Sequence, residues 1–165
     1  MKYCYFESPV GNLLLNGNEL LEGLHFPIGK TRIEPEKDWI YNEDLFLEAM
    51  DQLGAYFKGE RTRFDLKLNI QGTDFQKMVW KELVKIPYGE TISYGQLAKR
   101  IGNPKASRAV GMANGKNPIS IIIPCHRIIG KNGSLTGFGG GLEVKKNLLE
   151  FEKSNFNKRR FMGVK

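Results

Sequence analysis

The first 70 residues alternate between short apolar runs and turn residues, which predicts a small β-sheet followed by a helix. The apolar runs occupy residues 3–6, 13–15 and 20–26. They are separated by Pro-Val-Gly-Asn and Asn-Gly-Asn, sequences that favour tight turns. Apolar residues then recur at helical spacing between Leu45 and Phe57. Strict alternation between Phe64 and Ile70 predicts a half-buried strand.

Helical periodicity dominates from residue 75 onward. One apolar stripe runs over residues 75–86, and Ser93 with Gln96 three positions later forms a capping-box pattern. Gly102 suits the left-handed residue that ends this second helix. Asn103 and Pro104 predict the start of a third helix, which closes near residues 114–115. Two short helices joined by a Gly-Asn-Pro turn are a candidate helix-turn-helix.

The last 47 residues are predicted to hold one strand, a glycine-rich loop and one helix. Residues 119–123 predict a short buried strand that Pro124 ends, and residues 136–141 form the glycine-rich loop. The final helix is predicted from about residue 143 to Glu152. We expect residues 154–165 to form a frayed basic tail.

Composition places the chain among globular proteins of a reducing compartment. Of the 165 residues, 41% are hydrophobic and 26% are charged, which excludes disorder as the dominant state. No uninterrupted apolar run exceeds four residues, so no membrane span is predicted. Two cysteines are too few for a disulfide scaffold, and we expect a cytoplasmic protein.

The charge is divided unequally along the chain, with a sign change near residues 71–73. Residues 1–72 carry 8 basic and 12 acidic side chains, whereas residues 73–165 carry 17 and 6. We therefore expect two domains, 1–72 and 73–153, and a polyanion as the natural partner of the second one.

Cys125 is the residue most able to carry chemistry. A free cysteine near a strand is by default a small buried hydrophobe. However, Cys125 follows a proline and precedes His126 and Arg127, a base and a cation that could activate a thiol. A carboxylate would fix the imidazole, and Glu150 and Glu152 are the candidates.

Other functions for these residues are weaker. Cys4, His25, Cys125 and His126 lack zinc-ligand spacing, so no metal site is predicted. The glycine-rich loop lacks a P-loop ending. The small residues around Arg108 permit close approach to a DNA minor groove with Arg108 as a wedge, or equally a helix packed inside the domain.

Residues 123–129, Ile-Pro-Cys-His-Arg-Ile-Ile, closely resemble the active-site motif of the O6-alkylguanine-DNA alkyltransferases, the methylated-DNA–protein-cysteine methyltransferases. Further stretches resemble the family in the family's order, and the similarity covers residues 73–153 well. The N-terminal part resembles the family only in size and pattern. These further stretches are residues 89–94, 102–110, 117–118, 133–138 and 140–142.

The resemblance implies an α/β (α+β) protein. A small ribonuclease-H-like domain with a sheet and a helix precedes a helical, winged-helix-like DNA-binding domain. The implied activity is direct-reversal DNA repair without cofactor or metal: a monomer binds double-stranded DNA through the minor groove. It transfers the alkyl group of O6-alkylguanine, and of O4-alkylthymine, irreversibly to its own cysteine.

The resemblance also implies roles for five residues at the reacting centre. Cys125 accepts the alkyl group, His126 takes its proton through a water, and Glu152 orients His126. Asn117 supports this network, and Tyr94 promotes rotation of the nucleotide and binds the extruded base.

Six further residues are implied to contact DNA or the base. Arg108 fills the gap left in the base stack, Asn103 contacts DNA and Lys131 contacts a phosphate. The base pocket is implied at Phe138, Gly139 and Gly140. Family members often have tyrosine where Phe138 stands and serine or alanine where Gly139 stands, which bears on the alkyl groups that fit.

Two other classes of protein retain some support from the sequence. A DNA-binding regulator would bind alkylated DNA and leave the lesion intact. A thiol hydrolase using Cys125 and His126 would turn over and would not need duplex DNA.

Overall fold

The computed structural model describes residues 1–163, and its N-terminal part is a four-stranded sheet with one helix; the pattern predicted the first three strands and the helix but not the fourth strand. The strands follow the order β3 (Leu21–His25), β2 (Gly11–Gly17), β1 (Lys2–Ser8) and β4 (Ile40–Tyr41) across the sheet. Strands β1 and β3 pair antiparallel with β2, and β4 pairs parallel with β1. A 3₁₀ turn at Asp44–Phe46 leads into the helix. The elements are β1 (Lys2–Ser8), β2 (Gly11–Gly17), β3 (Leu21–His25), β4 (Ile40–Tyr41) and α1 (Leu47–Phe57).

The central strand β2 is covered on both faces, which explains its continuous apolar run. Leu13, Leu14 and Leu15 are all buried. Helix α1 adds Leu53 and Tyr56 to the same core and ends at Gly59, whose φ of 77° is left-handed. Tyr56 thereby enters the interior between the two parts of the chain.

The C-terminal part is mainly helical, with one short parallel ladder. The ladder joins β5 (Ile92–Ser93) to β6 (Ile128–Ile129) and pairs Ile92 with Ile128 and Ser93 with Ile129. A 3₁₀ turn at Cys125–Arg127 immediately precedes β6, and Ser93 caps the helix that begins with Tyr94. The ladder therefore fixes the cysteine turn beside the start of α3. The elements are α2 (Asp74–Leu83), β5 (Ile92–Ser93), α3 (Tyr94–Arg100), α4 (Ser107–Gly115), β6 (Ile128–Ile129) and α5 (Leu142–Phe161).

The helices pack around a shared core in the predicted mixed α/β arrangement. The capping box predicted at Ser93 and Gln96 is confirmed. Buried Trp80 on α2 donates from Nε1 to the carbonyl of Ala113 on α4 over 2.8 Å, which ties these helices together. Gly102 ends α3 with a φ of 81°, as predicted.

The strand predicted at residues 64–70 is wrong. The segment is extended and its burial alternates, but it makes a single parallel bridge, between Leu68 and Leu21. The side chain of Gln52 both donates to the carbonyl and accepts from the N–H of Asp65 at 2.9 Å. Because a side chain satisfies these backbone groups, the segment needs no neighbouring strand.

The strand predicted at residues 119–123 is also wrong, although all five residues are buried. The chain folds back on itself through Ile121, which has a φ of 72°, a rare conformation for a β-branched residue. Asn117 braces the turn: its Nδ2 donates to the carbonyl of Ile123 over 2.7 Å, and its Oδ1 accepts from the N–H of Ile119 over 3.0 Å. Beside these side-chain bonds, the segment makes only an isolated bridge to β3, between Ile119 and Leu24.

Two predicted helix boundaries differ from the structure. Helix α4 begins at Ser107 with Ala106 as its cap, because Asn103 instead accepts the N–H of Ala106 in a separate turn. Helix α5 continues past Glu152 to Phe161 rather than fraying. Asn155 stabilises this extension by donating to the carbonyl of Gly59 and to Oη of Tyr88. Residues 164 and 165 of the predicted tail lie outside the described residues.

The described residues hold neither a membrane-spanning helix nor a metal-binding cluster. None of their helices is long and apolar enough to cross a membrane. In the same part of the chain, no three His, Cys, Asp or Glu side chains are grouped so as to hold a metal ion.

Thr73→Ala tests the capping box that begins α2. Thr73 accepts the N–H of Gln76 at 3.1 Å, and Gln76 accepts the N–H of Thr73 at 3.0 Å. We expect the free energy of unfolding to fall by about 1 kcal/mol in urea denaturation. Thr73→Ser keeps the hydroxyl acceptor and should lose much less stability. If both variants lost the same amount, the hydrogen bond of the cap would contribute nothing.

Candidate active site

The turn at Cys125–Arg127 brings the thiol into the protein interior. Cys125 is only 4% exposed, and its carbonyl accepts from Nδ2 of Asn114 on α4 at 3.3 Å. Asn117 holds the preceding turn, and the pairing of β6 with β5 begins three residues after Cys125, at Ile128. The sulfur is therefore positioned by constraints on both sides.

Burial keeps the resting thiol protonated. Desolvation raises the pKa of Cys125 above its ordinary value, while the side chains of Asn117 and Ser120 and the charge of Lys145 partly oppose this rise. Lys145 on α5 is fully buried, and the same desolvation lowers its pKa to about 8. A base must therefore take the thiol proton during any reaction at this sulfur.

The adjacent imidazole is held by a buried carboxylate. Nε2 of His126 lies 2.6 Å from Oε2 of Glu152, and both side chains are inaccessible to solvent. The same oxygen accepts the hydroxyl of Tyr56 at 2.6 Å. Arg127 donates from Nε to Oε1 at 2.8 Å and from Nη2 to Oε2 at 3.1 Å. Glu152 thus connects both parts of the chain to the cysteine turn.

The charge on Glu152 assigns the imidazole tautomer. Burial alone would raise the pKa of Glu152, but His126 and Arg127 hold it well below its usual range. The ionised carboxylate only accepts, so Nε2 of His126 must donate its hydrogen. Nδ1 is buried and contacts no donor or acceptor among the described residues. This nitrogen is the one left to receive a proton from Cys125.

The geometry distinguishes between the two carboxylates that the sequence offered. Glu152 is 1% exposed and contacts His126, whereas Glu150 is exposed. Arg127 does not face the thiol. It binds Glu152, donates from Nη1 to the carbonyl of Ile86 at 2.7 Å and lies over the ring of Tyr88.

The glycine-rich loop is fastened to the same site. Lys145 donates from Nζ to the carbonyl of Thr136 at 2.9 Å, and Oγ1 of Thr136 donates to Oη of Tyr94 at 3.1 Å. Tyr94 is half-buried at the start of α3, and a Cβ built at Gly111 of α4 would lie 3.6 Å from its ring. Tyr94 therefore lies between the loop and α4.

The residues implied to form a base pocket pack against the N-terminal part. The rings of Phe138 and Phe26 are 5.5 Å apart, and the carbonyl of Gly139 accepts the N–H of Thr31 at 3.3 Å. A Cβ at residue 139 would lie 2.4 Å from Oγ1 of Thr31, and one at Gly140 would lie 2.4 Å from the ring of Phe26. Both glycines permit this close approach.

The implied DNA contacts lie apart from the buried network. Asn103, Arg108 and Lys131 are all exposed, the first two flanking the start of α4 and the third in the turn after β6. Ala109, beside Arg108 on α4, is exposed as well. The site therefore has an interior part around Cys125 and a surface part along α4.

Sequence reasoning missed Tyr56 and Lys145. Lys145 falls between Val144 and Leu148 on the buried face of α5, so a lysine within an apolar stripe was an available signal. Nothing in the local pattern of α1 distinguishes Tyr56 from a core residue. Its partner Glu152 lies 96 positions away in the chain.

Sequence similarity to known proteins over both parts of the chain identifies the family. Sequence models for 6-O-methylguanine DNA methyltransferases match residues 1–70 (ribonuclease-like domain) and 74–154 (DNA-binding domain). A methylated-DNA–protein-cysteine methyltransferase of Methanosarcina acetivorans is 57% identical over 157 residues, covering 93% of this chain and 99% of the relative. This chain belongs to the methylated-DNA–protein-cysteine methyltransferase family.

Solved structures agree with this assignment to the methyltransferases. The Mycobacterium tuberculosis protein crystallised in complex with DNA superposes with a TM-score of 0.87 at 51% identity, covering 94% of each chain. The M. tuberculosis O6-methylguanine methyltransferase gives 0.85 at 51% identity and 93% of each chain. The expected fold class and family are thereby confirmed.

The buried carboxylate predicts a specific dependence of stability on pH. The pKa of Glu152 is lower in the folded protein than its ordinary 4.5, so its ionisation stabilises the fold above about pH 4.5. This contribution is lost as the pH falls below that value. Glu152→Gln should therefore have a lower free energy of unfolding than the parent near neutrality. This gap in the free energy of unfolding should narrow below about pH 4.5.

Urea denaturation at a series of pH values measures this gap. Glu150→Gln, with its exposed side chain, is the matched control and should change the free energy of unfolding little near neutrality. A Glu152→Gln gap that stayed constant from about pH 7 to pH 3 would contradict the assigned ionisation.

Proposed function

We propose that this methyltransferase repairs O6-alkylguanine in duplex DNA, with Sγ of Cys125 as the alkyl acceptor. The observation that carries the proposal is the buried thiol beside His126, whose other ring nitrogen is fixed by Glu152. O4-alkylthymine presents the same kind of alkyl–oxygen bond and is proposed as a second substrate. Residues 73–153 would hold the reacting groups and the DNA surface, and residues 1–72 would support them.

Cys125 reacts by displacement at the alkyl carbon. Its proton passes through a water to Nδ1 of His126, the nitrogen that Glu152 leaves open. The sulfur then forms a bond to the alkyl carbon while the bond from that carbon to O6 breaks. The electron pair stays with guanine, which takes up a proton, and Tyr94 assists by hydrogen bonding to the leaving base. Overall, the thiol loses one proton and guanine gains one.

The product explains why one protein would repair only one base. A thioether has no acyl carbon for water to attack, so hydrolysis cannot regenerate the thiol. No cofactor is needed, because protein groups supply both the nucleophile and the proton transfers. Asn117 has a positioning role, since it holds the turn that carries Cys125.

The surface part of the site supports binding at the minor groove. Small residues on α4 permit close approach to DNA, and exposed Arg108 can enter the base stack as the damaged nucleotide leaves it. Tyr94 promotes that rotation, Asn103 contacts DNA and Lys131 contacts a phosphate. The extruded base is then bound beside Phe138 and the backbone of Gly139 and Gly140.

We propose a monomer that acts in the cytoplasm with access to chromosomal DNA. Support for the monomer comes from the contacts of Glu152, Tyr56 and Lys145, which complete the site within one chain. Support for the cytoplasm comes from the chemistry of Cys125, because its thiol must remain reduced in order to react. Both cysteines are free, as expected in a reducing compartment.

Intact-protein mass after mixing with excess duplex DNA containing O6-methylguanine tests the proposal. We expect a gain of one methyl group that stops at one equivalent and maps to Cys125. Cys125→Ser should gain nothing. Cys4→Ala is the matched control and should gain one methyl group like the parent, because Cys4 is buried elsewhere and burial raises its pKa to about 12.

Two other outcomes would contradict the proposal. An intact lesion without a change in protein mass would indicate a regulator that only binds alkylated DNA. Repair without a lasting change in mass would indicate true turnover, as a thiol hydrolase would show.

Arg108→Ala tests the wedge role. Base extrusion costs a few kcal/mol, so losing the wedge should slow repair of duplex DNA by about ten- to a hundredfold. The reaction with free O6-benzylguanine should change little, because that substrate needs no extrusion. Lys105→Ala removes another exposed charge nearby and controls for lost electrostatic attraction. Equal losses of rate on both substrates would refute the wedge.

A further inference from the structure

A large cleft lies behind the cysteine turn and takes no part in the chemistry above. Its volume is about 840 Å³, within the range of pockets that bind small molecules. It is bounded by residues 62–68 of the N-terminal part, residues 84–88, the turn around Ile121 and the end of α5. The cleft thus lies between the two parts of the chain.

The floor of the cleft is apolar. Phe64, Leu66 and Leu68 line it with partly exposed side chains, and Val84 and Phe156 line it with exposed ones. The buried side chains of Ile86, Ile121 and Ile122 complete the apolar lining. Such a floor favours a hydrocarbon or aromatic body over the phosphodiester backbone of DNA.

The walls of the cleft are cationic. Five basic side chains line it, and no Asp or Glu is among the residues that do so. Lys85 is partly neutralised by Glu82, which it approaches to 2.9 Å. Arg127 donates two hydrogen bonds to Glu152 and one to the carbonyl of Ile86. Part of its surface faces the cleft. The five are Arg63, Lys85, Arg127, Arg159 and Arg160.

We propose that this cleft binds a small anionic amphiphile, an apolar body that carries a carboxylate or a phosphate. The apolar body would lie on the floor, and the anionic group would face the basic walls. Charge complementarity selects this ligand class, because the basic walls attract an anionic group, give a neutral apolar ligand no such attraction and repel a cationic one.

Coupling to the repair site would follow from Arg127. Its guanidinium binds the carboxylate that fixes His126, so an anion at the cleft wall would compete with Glu152 for the same cation. This ligand site is separate from the alkyl-acceptor site. It therefore stands whether or not Cys125 accepts an alkyl group.

Fluorescence of 8-anilinonaphthalene-1-sulfonate, an aromatic anion, tests the proposal with the native full chain. We expect a saturable rise in fluorescence that dodecanoate reverses below its micelle-forming concentration. Dodecanol and dodecyltrimethylammonium share the apolar tail without the negative charge and should displace the dye poorly. Equal displacement by all three would mean a general apolar surface and would overturn the proposal.

Variants at the cleft locate the site. Arg160→Glu reverses one charge on an exposed wall residue and should weaken dodecanoate binding about fivefold, whereas Arg160→Lys should change it little. Val84→Trp, at a lining residue that is 57% exposed, should reduce binding by filling the cleft, with Val84→Ala as its control. Unchanged affinity in both Arg160→Glu and Val84→Trp would place the dye elsewhere.

Lesion-free duplex DNA is the remaining competitor. We expect it to leave the dye bound, because the apolar floor offers nothing to a phosphate chain. If such DNA displaced the dye as effectively as dodecanoate, the cleft would belong to the nucleic-acid surface and the proposal would be wrong.

Discussion

The buried charge of Glu152 is the constraint on which the site depends. Moving an isolated carboxylate out of water costs several kcal/mol unless charged and hydrogen-bonding partners compensate. Arg127 supplies the opposite charge, and His126 and Tyr56 supply the further bonds. Because Tyr56 comes from α1 while His126 and Arg127 come from the cysteine turn, the ionised carboxylate is stable only when α1, the turn and α5 are assembled. The imidazole tautomer is thereby set by tertiary packing.

A second constraint is the folded-back turn that precedes Cys125. Ile121 occupies left-handed backbone space that costs about 1–2 kcal/mol for an ordinary residue. Asn117 offsets this cost by bonding to both limbs of the turn, and burial of Ile121 itself contributes as well. The result is a cysteine at an irregular backbone position, with its immediate neighbour His126 directed towards α5. A regular strand would have pointed adjacent side chains to opposite faces.

The two parts of the chain meet at the glycine-rich loop, and this contact shapes the implied base pocket. Gly139 and Gly140 pack so closely on Thr31 and Phe26 that a Cβ at either position would overlap them. Where relatives carry serine or alanine at the position of Gly139, the opposing segment must be arranged differently. The N-terminal part therefore has a structural influence on the pocket although it contributes no reacting group.

Periodicity and turn chemistry predicted the elements that depend on neighbours in sequence. The cap at Ser93, the left-handed end at Gly102 and the hairpin strands needed only local information, since their hydrogen bonds close within a few residues. The resemblance of residues 123–129 to an alkyltransferase motif identified the family. Tertiary structure decided what local pattern could not: that residues 119–123 form a turn, and that Tyr56 reaches Glu152 across 96 positions. Burial and pairing of polar groups are properties of the assembled interior, and no short window of sequence contains them.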